Sequence, residues 1–195
     1  MTAAGLGVDA EDVHRDPDAA RDVRLVVAGD DDRRSAIVRD AALEPVELAS
    51  FPGAAFFHVW SGALDEPLAD PGAPPRGRWI PASGAFRFGV SVLPPAYGAG
   101  APLDLVEIDA RLPGLAETLD LEEPGMHVTD TLDLVYVAAG EVTLVLDDAE
   151  RRLRAGDCVV QRGNRHAWRN DGPDDCVLVI TMLGFDPRPS MDPSA

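Results

Sequence analysis

Met126-His127-Val128-Thr129-Asp130-Thr131-Leu132-Asp133 and Gly163-Asn164-Arg165-His166-Ala167-Trp168-Arg169-Asn170 are two short polar clusters separated by a β-hairpin pattern. Side chains alternate faces along an extended chain, so His127, Thr129, Thr131 and Asp133 share one face. In a small closed sheet the inward residues converge, which would bring His166 across from that face. Two imidazole nitrogens and one carboxylate oxygen suit a divalent metal and leave positions open. Such a facial triad is typical of non-haem Fe(II), and Mn, Zn or Ni are held by the same donors. Open positions accept water, a bidentate substrate or dioxygen, with the metal as Lewis acid or redox centre. Thr129 stands where it would orient a water or a substrate. The hydroxyls of Thr129 and Thr131 equally suit neighbouring backbone groups.

Outward from these clusters the chain reads as many short strands. Leu134–Ala138, Val142–Leu146, Glu150–Leu153, Cys158–Gln161, Ala167–Arg169 and Cys176–Met182 are separated by Gly, Asp and Pro turns. Upstream, Ala85–Leu93 is stopped by Pro94-Pro95, and Ala54–Trp60 is a strong strand. Arg24–Ala28 and Ser35–Arg39 read as a hairpin about Gly29-Asp30-Asp31-Asp32. Val46–Leu48 is a third short piece, and Leu103–Ala110 reads as an extended run. Leu115–Leu121 is the one helix candidate. Leu64–Arg78, rich in Pro, Gly and Asp, reads as a surface loop. No βαβ spacing occurs. The expected class is all-β, a sandwich or barrel with an N-terminal strand extension. The expected organisation is an acidic tail over 1–20, one domain over 21–183 and a Pro- and Asp-rich tail over 184–195.

The 195 residues include 17 Lys plus Arg against 34 Asp plus Glu, a formal charge of -17. Such a surface repels phosphate backbones and anionic lipid, so neither nucleic acid nor a membrane is an expected partner. Residues 1–9 lack a basic start and an apolar run of signal-peptide length, and no stretch approaches the length of a membrane-spanning helix. A cytoplasmic location follows as the expectation. Cys158 and Cys176 lie in valine-rich runs and read as reduced, buried small residues.

His58 shares its strand parity with Phe56 and Trp60. It reads as an aromatic-packed histidine, or as a proton shuttle if its ring enters the pocket. On Ala85–Leu93, Phe86 and Phe88 read as core. That leaves Arg87 outward or at the rim, and no arginine clearly placed for an acidic substrate.

The two clusters resemble the paired motifs of the cupin superfamily. His127 stands at the first histidine of motif one, Thr129 at the second, Asp133 at the acidic residue and Gly140 at the closing glycine. Gly156-Asp157 opens motif two, Gln161-Arg162-Gly163 replaces Pro-x-Gly, and His166 and Asn170 complete it. The resemblance implies a double-stranded β-helix, or jelly-roll, barrel, usually dimeric, whose N-terminal strands decorate it. The phrases resemble a branch of small cupins often found near secondary-metabolite genes. It also implies a divalent metal on His127, Asp133 and His166 and a small polar or aromatic metabolite as ligand. Oxygenase, decarboxylase, isomerase and dehydratase chemistries all suit such a barrel, as does metal-free binding or sensing. Thr129 removes one customary imidazole, and Asp133 reaches about 1.5 Å less far than Glu would.

Overall fold

The computed structural model describes residues 21–31, 34–65 and 77–186. The readings of residues 1–20, of 66–76 within the Pro-rich loop and of 187–195 fall outside them.

Two facing sheets make the body. The larger has the order β3-β4-β10-β5-β8, formed by Ala55–Ala63 (β3), Ala85–Leu93 (β4), Cys176–Gly184 (β10), Thr131–Ala139 (β5) and Cys158–Arg162 (β8). The smaller has the order β7-β6-β9, from Glu150–Arg154 (β7), Glu141–Val145 (β6) and Ala167–Arg169 (β9). All of these pairings are antiparallel. Strand propensity explains the elements: Val, Leu, Ile and Thr dominate β5, β6 and β10, and Gly, Asp and Pro punctuate between them. The fold is all-β, a barrel-like pair of facing sheets with the N-terminal hairpin added to it.

The core lies between the sheets. Val135, Val137 and Leu178 from the large sheet meet Val142, Leu144 and Leu153 from the small one. Along β5 the inward residues Thr131, Asp133, Val135 and Val137 are buried while Leu134 and Tyr136 are exposed, the period of two expected of a half-buried strand. The sheets turn into one another tightly at Gly140, whose φ of 69° suits glycine. A Cβ there would stand 2.3 Å from the carbonyl oxygen of Asp175.

Arg24–Asp31 (β1) and Arg34–Ala42 (β2) form the expected N-terminal hairpin. Val23 and Leu43 at its base pack on a second cluster of Ala55, Phe57, Val92 and Val177. Val46 makes only a single bridge, to Phe56.

Several expectations are corrected. Leu103–Ala110 is not extended. Leu105–Arg111 is a helix (α1), started by the Asp104 carboxylate, which accepts from the N–H groups of Val106 and Glu107. Ile108 on its inner side is fully buried, and that burial decides against a strand. The helix candidate further on is only the 3-10 turn Ala116–Thr118. β10 continues to Gly184. Both cysteines are free, but Cys158 is exposed, on the outward parity of β8, and only Cys176 is buried.

Candidate functional site

Between the sheets lies a cavity of about 420 Å³. Its walls are largely apolar and aromatic, with Phe51, Phe56, Trp79, Tyr97 and Trp168 among them. One end is polar, built from His127, His166, Thr129, Asp133, Gln161 and Arg87. The volume falls within the range of small-molecule sites, and so does the mixture of apolar wall and convergent polar groups.

Backbone pairing makes the histidine pair. The N–H of His127 donates to the carbonyl of His166 at 2.9 Å, and the N–H of His166 donates back at 3.0 Å. Residues that exchange both bonds across antiparallel chains project side chains to one side. The rings accordingly stand 4.1 Å apart, centroid to centroid, inclined at 55°. The segment carrying His127 is itself held by the N–H of Val128 donating to Thr118 and that of Asp120 donating to Met126. Outside it, Arg165 gathers Asp120, Glu123 and Asp147.

Each imidazole is fixed as a tautomer. Nδ1 of His127 lies 3.1 Å from the carbonyl of Gly125, and Nδ1 of His166 lies 2.9 Å from that of Asn164. A carbonyl only accepts, so each Nδ1 carries the hydrogen and each Nε2 keeps its lone pair. Burial pushes His127 below the ordinary imidazole range. Burial, reinforced by the neighbouring imidazole, pushes His166 down to about 3. Both rings are therefore neutral near pH 7, with a nitrogen available to a cation or a proton.

Asp133 is held differently. The Thr131 hydroxyl lies 2.5 Å from Oδ1 of Asp133 and 2.8 Å from the Thr129 hydroxyl, so the three side chains form one buried string. Burial raises the Asp133 pKa, opposed by the Thr131 hydrogen bond and the Arg87 charge. Among the described residues no group of three or more His, Cys, Asp or Glu side chains is assembled so as to hold a metal ion. His127, Thr129, Asp133 and His166 thus share the cavity wall. His58 is not part of that wall. Its ring packs edge-on against Trp79 at 6.1 Å, its Nε2 is buried without a partner, and burial lowers it to about 4.

Arg87 overturns the reading of β4. It is 2% exposed and lines the cavity, whereas Phe86 and Phe88 are only partly buried. Its guanidinium lies 3.7 Å over the Trp79 ring and against Gly89, where a Cβ would come within 2.3 Å of Nη1. Burial lowers its pKa to about 9, with the Asp133 charge opposing, so it stays cationic at pH 7. The missed signal was the small residue at the same parity: Gly89 leaves room for a large inward side chain. Gln161, quoted above only as a motif position, is also buried in the wall.

Residues 120–182 match the family model for the cupin domain. That stretch, about a third of the chain, is similar to the cupin domain. Two relatives from Diaporthe leptostromiformis, named phomopsin biosynthesis cluster proteins C' and D, are each 52% identical over 46 residues, covering 23% of this chain and 24% of their own length. Oryzines biosynthesis cluster protein J of Aspergillus oryzae is 47% identical over 68 residues, 34% of this chain and 37% of its own. The chain thus spans about a quarter to two fifths of the length of these relatives. Among solved structures, a predicted oxalate decarboxylase from Thermotoga maritima superposes with a TM-score of 0.43 at 13% identity, over 73% of this chain and 94% of its own. No helix among the described residues is long and apolar enough to cross a membrane.

Proposed function

We propose that this protein binds a small, partly apolar metabolite of secondary metabolism in the cavity, with a divalent ion carried by His127 and His166 at its polar end. The observation behind this reading is the histidine pair. Two neutral imidazoles 4.1 Å apart, each with Nδ1 tied to a backbone carbonyl, present the donor state that metal-ligating histidines adopt. The relatives named for phomopsin and oryzines biosynthesis clusters support the metabolic setting.

The donor set fits an ion at the two nitrogens. The third position is not assembled among the described residues. Thr131 engages Oδ1 of Asp133 and leaves Oδ2 for a cation after a side-chain movement, or a chelating ligand takes that place. A bound ion would supply Lewis-acid or redox chemistry. The chain's own contribution is to hold both tautomers, to wall the ligand from water, and to offer the Thr129 hydroxyl for orientation. His58 packs against Trp79 and is not among the residues that line the cavity.

A metal-free reading is favoured by one observation. Asp133 lies under the Thr131 hydrogen bond and the Arg87 charge, a setting that serves a structural carboxylate. The two Nε2 atoms would then accept hydrogen bonds from a ligand hydroxyl.

Elemental analysis of untagged protein, followed by calorimetric titration with Mn, Fe(II), Zn and Ni, separates the readings. The expected result is one ion per chain in the wild type and none retained by His166→Ala. Failure of every ion to bind the folded wild type at millimolar concentration refutes the metal.

A further inference from the structure

Arg87, Met182, Asp133 and Gln161 are direct cross-strand neighbours, one each on β4, β10, β5 and β8. Opposed residues of adjacent strands project to the same face. All four line the cavity, so this row forms part of its wall. It sets a guanidinium, a thioether, a carboxylate and a carboxamide side by side.

The row is short of acceptors. Nε and Nη1 of Arg87 have no hydrogen-bond partner, and neither has Nε2 of Gln161. Nη2 donates only to the Met182 sulfur, at 2.9 Å. A thioether is a weak acceptor. Asp133 acts on Arg87 through its charge, while its own hydrogen bond goes to Thr131. A buried guanidinium without its acceptors is costly to maintain. Trp79 covers one face of the cation and Gly89 gives it room, so the strand is shaped to hold it there.

We infer that Arg87, supported by Gln161, is the anion subsite of the cavity, and that the ligand this protein takes carries a carboxylate. The carboxylate displaces the Met182 sulfur as the acceptor for Nη2, a charge-assisted bond replacing a weak one. The aromatic wall formed by Phe56, Trp79 and Trp168 then receives an apolar body. This rests on the reading of the cavity as a metabolite site and not on the metal.

The test is a matched pair of probes, benzoate and benzamide, titrated calorimetrically into the full chain after EDTA treatment and again after metal loading. The stripped wild type is expected to bind benzoate at least about tenfold more tightly than benzamide. That preference is expected to fall below about threefold in Arg87→Gln, to survive in part in Arg87→Lys, and to weaken in Gln161→Leu, a variant that leaves the guanidinium in place. Inorganic phosphate is the control for anions in general; it should not compete with benzoate. Equal binding of acid and amide overturns the inference, as does binding of neither probe. A preference that appears only in loaded protein and survives in Arg87→Gln assigns the acid to the metal. That result overturns the subsite while leaving the metal reading intact.

Discussion

Replacing Asn170 should loosen the barrel at the point where the second polar cluster is fastened to the large sheet. The side chain is fully buried. Its Nδ2 donates to the carbonyls of Leu93 at 2.8 Å and Asp174 at 2.9 Å, and its Oδ1 accepts from the N–H of Gly172 at 2.9 Å. Its backbone also bonds to Ala96 and Tyr97 in the loop that walls the cavity. Asn170→Ala removes three side-chain bonds at roughly 1 kcal/mol each, the buried one to the Leu93 carbonyl among them, a loss of about 3 kcal/mol. Asn170→Asp is nearly isosteric and more informative. It keeps the acceptor for Gly172 but turns a carboxylate oxygen toward two carbonyl oxygens, so it should cost more than alanine at pH 7. Its folded pKa is then raised above the unfolded value. The penalty is absent below the unfolded pKa and grows by about 1.4 kcal/mol per unit as pH rises toward the folded one. Urea denaturation followed by tryptophan fluorescence at pH 7 and pH 5 measures both variants. A loss below about 1 kcal/mol for alanine, or an aspartate no worse than alanine at pH 7, would refute the reasoning.

Three further predictions rest on single groups. In EDTA-treated protein, His166 binds a proton readily only when unfolded, its folded value being about 3 against 6.5. Its contribution is therefore complete above pH 6.5 and is lost as pH falls, by about 1.4 kcal/mol per unit; His166→Gln should lose correspondingly less between pH 7 and 5, and parallel pH curves for the two proteins would contradict this. Cys158 is exposed and Cys176 is buried, with a thiol raised to about 12 by burial. A thiol reagent should titrate one group per native chain and two in denaturant, and two fast groups in the native state would count against the fold. Gly140→Ala forces a Cβ to 2.3 Å from the Asp175 carbonyl oxygen and 2.9 Å from the Cys176 Cα. It should destabilise by at least about 2 kcal/mol in the same denaturation assay, and a neutral effect would mean that the turn is looser than described.

Strand content was legible where local chemistry settles it. Ala85–Leu93 and Ala167–Arg169 occupy the residues expected of them, because apolar alternation and flanking Pro or Gly define a strand without help from afar. Leu103–Ala110 misled because its apolar residues fit either period. The Asp104 cap and the burial of Ile108 against the core chose the helix. On β3 the alternation of Phe56, His58 and Trp60 is broken by a register shift between His58 and Trp60. Only the pairing with β4 creates that shift.

The sequence by itself determined that the protein is built from short strands and that two polar clusters bracket a hairpin. These follow from residue type and period, which are local properties. Tertiary structure alone decided which polar side chains turn inward together. Arg87, Met182, Asp133 and Gln161 come from four strands far apart in the chain, and their alignment is a matter of register. Register is fixed by the packing of both sheet faces, and the periodicity of one strand carries no information about its neighbour's offset.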